Sequence, residues 1–393
     1  MDKKDDLSAQ SFDQSPTQFP GYVPTPERAT YYDEHWQAWQ VFRYHEVQRV
    51  LSDFTAFSSQ RGRLLPSSKV VPASSSMLEL DPPRHNQLRS LVAQAFTPRA
   101  VAQLEPAIKN LAHQLLDAVI EQGEMDVVDD VAARLPLLVI CQLLGVPEDD
   151  RPQMRLWTSA YAEAVTPAAW QARSDLLAYF ADLMEQRRKI PQDDLMSALL
   201  STQVDGQYLT EAELTGFCLL LIIAGNETTK NLIGNALLCF DEYPAVMEQI
   251  QMEPALLPGA IEEVLRYLSP VPCFPRIARV DTVIEEQTIQ AGQWVMPWLM
   301  SANRDPEVFS DPNRFDIRRD PNRHISFGAG VHFCLGAPLA RLETKIALSA
   351  ILERLCDIQR VRTVPLEPGW HPVAYGVKHL PLVFKKRVGG SPS

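Results

Sequence analysis

A chain of 393 residues with 49 acidic against 37 basic side chains has a net charge of -12, which excludes the basic stripe of a nucleic-acid-binding surface and suits a soluble protein. Its six cysteines, at 141, 218, 239, 273, 334 and 356, have neither C-x-x-C spacing nor the density of a disulfide framework, so zinc and iron–sulfur sites are excluded and a reducing cytoplasm is expected. No run is long enough to span a membrane, since the longest, Phe217 to Ala224, falls far short of the ~20 residues required, and the opening Met1-Asp2-Lys3-Lys4-Asp5-Asp6 lacks the apolar core of a signal peptide.

In chain order, residues 1–18 are polar and predict a disordered tail. Trp39 to Phe42 reads as a short strand, and Tyr44 to Ser52, with Val47, Val50 and Leu51 on one face, as a helix. Ser58 to Ser76, rich in Ser, Gly and Pro, predicts a long loop of the kind that often serves as a lid. The pair Pro82-Pro83 then opens a helix that places His85 and Arg89 four residues apart on one face, which by itself describes many solvated pairs. Val101 to Leu144 reads as helical with a break at Gly123, followed by a turn at Gly145-Val146-Pro147. Two or three further helices are expected from Asp150 to Arg188, interrupted near Thr166-Pro167.

Thr210-Glu211-Ala212-Glu213 is a capping box, and the helical pattern behind it continues to about Phe240. The middle of this long apolar helix reads Ala224-Gly225-Asn226-Glu227-Thr228, which breaks local design rules as functional sites tend to do. Ala224 and Gly225 leave room against the helix, the Thr228 hydroxyl reaches the carbonyl four residues back, and Glu227 is suited to relay protons from solvent. Gly259 to Leu268 is a further helix carrying Glu263 and Arg266 at ion-pair spacing. Short strands follow at Phe274 to Val280, Thr282 to Gln287 and Trp294 to Met300, with a turn at Ala291-Gly292. A structureless meander runs from Asn303, and the C-terminal Gly369 to Phe384 reads as a hairpin turning near Tyr375-Gly376.

Within the meander lies Phe327-Gly328-Ala329-Gly330-Val331-His332-Phe333-Cys334-Leu335-Gly336, which runs into a helix from Pro338 to about Leu355. The glycines allow the loop to press on a large flat ligand, and a cysteine before a helix start meets free N–H groups that favour thiolate, a soft metal ligand. A lone thiolate suggests an axial ligand of haem iron.

This loop resembles the haem-binding segment F-G-x-G-x-H-x-C-x-G of the cytochrome P450 superfamily, and Ala224 to Thr228 is similar to that family's A-G-x-[D/E]-T motif. The resemblance implies a mainly α fold with small β-sheets (α+β), a single domain over 19–386 with a C-terminal tail over 387–393, and haem b between the central helix and the cysteine-loop helix. It implies Cys334 as iron ligand, with His85, Arg89, Arg276 and His332 on the propionates. Ala224, Gly225, Phe327, Gly328 and Gly336 would lie against the haem, Glu227 and Thr228 would act in proton delivery, and Glu263, Arg266 and Arg319 would brace the loop. Leu220, Val271, Phe274, Tyr375 and the Leu64 to Met77 loop are expected to line the substrate space, with the turn from Ala164 to Trp170 at its mobile edge. The implied reaction is O2-dependent hydroxylation or epoxidation of an apolar lipid, terpenoid, steroid or polyketide-like molecule. Electrons would come from a ferredoxin or flavodoxin with its reductase docking near Arg89, Arg341 and Lys345, with no membrane or nucleic acid involved. The alternatives are a peroxide-driven haem-thiolate enzyme or isomerase, and a non-catalytic sensor.

Overall fold

The capping box at Thr210 is formed, its hydroxyl accepting from the Glu213 amide while the Glu213 carboxylate accepts from the Thr210 amide, and helix Glu211–Glu242 follows. At ~1.5 Å per residue its 32 residues run about 48 Å through the molecule. Every residue from Asn231 to Phe240 is buried, because a helix that is apolar on all sides must be covered on all sides. The cover comes from helices Arg134–Leu144, Pro167–Lys189, Leu257–Tyr267 and Ala337–Arg354 and from strand Ala374–Val377. Within that core Asn235 Nδ2 donates to the carbonyls of Leu268 and Tyr375, at 3.0 and 3.2 Å, which ties the central helix to two other segments, while its Oδ1 is buried without a partner.

This computed structural model describes residues 30–62, 76–162, 166–204, 207–371 and 374–387. The expected N-terminal tail over 1–18, the tail beyond residue 387, residues 64–75 of the Leu64 to Met77 loop and the start of the turn at 164–165 lie outside the described residues.

A mainly helical body carries small sheets at its edges. The largest has five strands in the order Tyr31–Asp33, Ala38–Val41, Trp294–Pro297, Arg276–Ala278 and Phe57–Ser58. The central strand Trp294–Pro297 runs parallel to Ala38–Val41 and antiparallel to Arg276–Ala278, with Val295 opposite Arg276, and Ser58 lies opposite Ile277 on the outer side.

Four local expectations need correction. The break at Gly123, where φ is 73°, leads into a strand, Glu124–Asp126, which pairs with Pro381–Lys386 from the far end of the chain, a partner no local pattern announces. Thr282 to Gln287 is a hairpin, since Glu285 adopts φ 52° and folds Gln287–Ile289 back on Thr282–Ile284. The strand at Trp294 ends at Pro297, and Leu299–Ala302 is helical. Tyr375 and Gly376 do not turn the last hairpin but lie within a strand, opposite Trp370 and Gly369. The glycine serves close approach: a Cβ at Gly376 would lie 2.5 Å from Asn231 Oδ1 on the central helix.

Glu263 and Arg266, expected as an ion pair, are both fully buried, and their carboxylate and guanidinium meet in a two-point fork at 2.7 and 2.8 Å. Arg266 also donates to the carbonyls of Asn303, Pro312 and Arg314, while Glu263 accepts from the Asp316 amide, Asn322 and Arg319. Nearly every hydrogen-bonding position of the pair is used, as burial of two ions demands. Glu263→Ala leaves an uncompensated buried guanidinium and is expected to cost roughly 3–5 kcal/mol, read as the shift in denaturant midpoint at constant m-value.

Candidate active site

The cysteine loop is closed by its own backbone. The Cys334 amide donates to the Phe327 carbonyl at 2.8 Å, and Gly328 and Gly330 take φ of 76° and 67° to make the path possible. At Gly330 a side chain would collide with the neighbouring helix, its Cβ falling 2.6 Å from Ser52 Cα. The E-x-x-R pair reaches this loop through intermediates. Arg266 holds the Asn303 carbonyl, the Asn303 side chain bonds Ile325 and Ser326 at 2.8 and 2.7 Å, and Ser326 Oγ donates to Leu265 at 2.6 Å. Arg319, the third member of the expected brace, lies 3.2 Å from Glu263.

Four of the six cysteines are buried and Cys356 is half-buried, whereas the Cys334 side chain is exposed. Protein nevertheless surrounds it closely, as at the floor of an interior opening, and this desolvation raises its thiol pKa. The amides of Gly336 and Ala337 and the charges of Arg89 and Arg341 pull in the other direction without reversing the balance. The helix start thus favours the thiolate as the sequence suggests, but burial outweighs it. A coordinated metal deprotonates such a thiol outright. A Cβ on Gly336 would meet nothing within 4 Å, so space is open at this glycine, whose amide bonds the thiol.

Near this loop sits a group of buried and half-buried histidine and arginine side chains. The rings of His85 and His332 are 4.1 Å apart, and the Nε2 atom of each is buried without a partner. Burial, followed by Arg276, His85, Arg89 and Arg61, pushes the His332 pKa down to about 3, and burial lowers His85 as well. Arg89 donates to the Phe333 carbonyl at 2.6 Å, next to Cys334 in sequence. Arg276 is buried, and desolvation and Arg61 lower it to about 9. Orphaned imidazole nitrogens and buried guanidiniums gathered beside an accessible thiol fit a flat metal-bearing group with acidic substituents, as haem is.

The central helix supplies different chemistry. Ala224 is exposed in mid-helix, and Thr228 Oγ1 donates to its carbonyl at 2.8 Å. Glu227 is ion-paired with Lys230 at 2.6 Å and lies 3.5 Å from Asn231 Nδ2. Gly225, expected with Ala224 on the cofactor side, has Ile140 Cδ1 3.0 Å from where its Cβ would be, so its smallness admits the crossing helix Arg134–Leu144.

Of the expected substrate residues, Leu220 and Val271 are half-buried, and Tyr375 is buried with its amide bonded to Pro270. Phe274 carries the guanidiniums of Arg61 and Arg276 against its ring, at 5.0 and 5.3 Å. Arg341, named as a docking cation, is held by Glu262 in a fork and stacks on Phe327 at 4.4 Å, whereas Lys345 is exposed. Sequence reasoning misses Arg61, Lys230 and the Glu262–His324–Arg341 cluster. Only Lys230, three residues after Glu227, has a local signal.

Comparison with known proteins decides the family. The Cytochrome P450 family model matches residues 149–365. Cytochrome P450 109 of Bacillus spizizenii is 40% identical over 363 residues, covering 89% of this chain and 87% of that protein. The chain belongs to the cytochrome P450 family.

The polyketide biosynthesis cytochrome P450 PksS of Bacillus subtilis is 38% identical over 363 residues, covering 89% of each chain. The crystal structure of CYP109E1 from Bacillus megaterium in complex with testosterone superposes with a TM-score of 0.83 at 39% identity, covering 91% of this chain and 96% of that one. The protein is a P450 monooxygenase, a haem-dependent oxidoreductase that uses O2 and a redox partner. Among the described residues no helix of this P450 is long and apolar enough to cross a membrane.

The Glu262–His324–Arg341 cluster gives the stability of the P450 a pH dependence. Burial alone would raise the Glu262 pKa, but the hydrogen bonds and charges of Arg341 and His324 outweigh it and hold the carboxyl down at about 2. A carboxyl lowered by folding stabilises above its ordinary range, and the contribution is lost as pH falls from about 4.5 toward 2. Allowing for solvent screening of this partly exposed cluster, Glu262→Gln is expected to cost about 1–2 kcal/mol at neutral pH, with the gap closing on acidification, as read by denaturation at a series of pH values.

Proposed function

We propose that this P450 hydroxylates or epoxidises an apolar small molecule of steroid or polyketide type, on haem b ligated by Cys334, with electrons from a ferredoxin or flavodoxin and its reductase. The observation that carries this reading is an accessible Cys334 in the same loop as His332, whose ring lies 4.1 Å from that of His85, with the Nε2 atom of each histidine buried and unpartnered. The relatives named for polyketide biosynthesis and for a testosterone complex support the substrate class, as do the half-buried apolar Leu220 and Val271.

In this reading His85, Arg89, Arg276 and His332 would hold the propionates, and Phe327, Gly328, Gly336 and Ala224 would make room for and contact the haem. When bound, the haem supplies O2 activation, with the thiolate ligand favouring O–O cleavage. The Thr228 hydroxyl has one proton, and it is engaged by the Ala224 carbonyl. Its lone pairs therefore accept, and Thr228 orients a protonated neighbour such as water above the helix. Glu227, part-exposed and paired with Lys230, takes up protons at the solvent end and passes them inward along that water. Apolar walls hold the substrate C–H close and limit loss of these protons to bulk solvent.

Reduced protein under CO is expected to give the strongly red-shifted Soret band of thiolate-ligated haem, and a histidine-type band in intact protein would refute the assignment of Cys334. Thr228→Ala is expected to lower product formed per NAD(P)H by roughly tenfold while raising peroxide release. The comparison is made by quantifying product and peroxide side by side, and unchanged coupling would remove Thr228 from the proton path.

A further inference from the structure

We propose that Arg61 is an additional carboxylate-binding residue of the haem pocket, placed beside Arg276 by the pairing of strand Phe57–Ser58 with strand Arg276–Ala278. The proposal rests on the haem-thiolate reading above and adds to it a residue from outside the recognised motifs.

The two guanidiniums are buried next to each other. Arg61 is 6% exposed and Arg276 2%. Both lie against the ring of Phe274, and both donate through Nη1 to one carbonyl, that of Pro275, at 3.2 Å from Arg61 and 3.0 Å from Arg276. Arg61 Nε is buried and has no partner. Two like charges out of water, sharing a neutral acceptor, are strongly disfavoured unless an anion joins them. The carboxylates that act on them do so only through space, Glu79 on Arg61 and Asp81 on Arg276. Asp81 is already engaged by the Ser58 hydroxyl at 2.5 Å, the Ser59 amide at 3.0 Å and Arg279 at 3.4 Å. The site is thus short of one negative group, and a planar carboxylate matches the fork that a guanidinium presents.

Two sources offer that carboxylate, a haem propionate and an acidic substrate. Arg61 shares the Pro275 carbonyl and the Phe274 ring with Arg276, the residue that the haem-thiolate reading sets on a propionate, which favours the propionate.

The test uses purified holoenzyme of the wild type, Arg61→Gln and Arg61→Lys. Three readouts are compared: the rate of haem transfer to excess apomyoglobin, the haem reduction potential, and the spin-state response to dodecanoate against its methyl ester. For a propionate, Arg61→Gln is expected to release haem roughly tenfold faster, as loss of a charge-assisted hydrogen bond implies, and to lower the potential, with Arg61→Lys intermediate. For a substrate carboxylate, haem release and potential stay at wild-type values while Arg61→Gln loses the discrimination of acid from ester. The proposal is overturned if all three readouts are unchanged, or if haem release accelerates without a shift in potential, which marks general loosening. Should Arg61→Gln give no soluble holoenzyme, Arg61→Lys carries the same comparison. A wild-type CO spectrum without the thiolate band would refute the haem reading itself, independently of Arg61.

Discussion

Everything near the cysteine loop depends on two ions that folding has removed from water. Glu263 and Arg266 could not remain charged in the core unless their hydrogen-bonding capacity were filled, and what fills it is irregular backbone, the carbonyls of Asn303, Pro312 and Arg314 and the amide of Asp316. A meander with few regular hydrogen bonds of its own thereby gains a fixed course. Asn303 carries that constraint onward to Ile325 and Ser326, so a loop with no sheet or helix to hold it presents its sulfur from a defined place. Stability and site geometry share one network here.

The same accounting, applied where it does not balance, marks the ligand. In the brace each buried charge has its complement. Beside Arg276 and Arg61 no carboxylate is bonded to either guanidinium among the described residues, and Arg61 Nε and the Nε2 atoms of His85 and His332 are buried without partners. Proteins seldom tolerate such a deficit, so an excess of one sign in a closed space indicates the charge of what belongs there. The central helix shows the opposite economy. Its Thr228 hydroxyl satisfies its own donor on Ala224 and retains acceptor capacity.

Legibility in the sequence follows the range of the interactions concerned. Helix Tyr44–Ser52, the capping box at Thr210 and the Thr228–Ala224 hydrogen bond are readable because each is decided within four residues. Strand Glu124–Asp126 is hidden because its partner is Pro381–Lys386, and Gly376 suggests a turn when its purpose is to admit Asn231. The same holds at the candidate site. Short motifs point to Cys334, Glu227 and the Glu263–Arg266 pair, whereas Arg61 becomes notable only when strand pairing sets it beside Arg276. Phe274 is apolar and suits a substrate wall on sequence grounds, yet its ring supports two guanidiniums, a use visible only in three dimensions.

The contact between Gly330 and Ser52 bears on how this scaffold can diversify. What a new side chain at 330 would strike is the Cα of Ser52, so no trimming of residue 52 makes room for it. Drift at this point is closed to single substitutions and to compensating pairs alike, because only displacement of the helix end relieves the clash. Leu220 and Val271, half-buried and outside the ionic brace, are under no such backbone veto. Variation is thereby channelled toward what the enzyme accepts and away from where its sulfur stands.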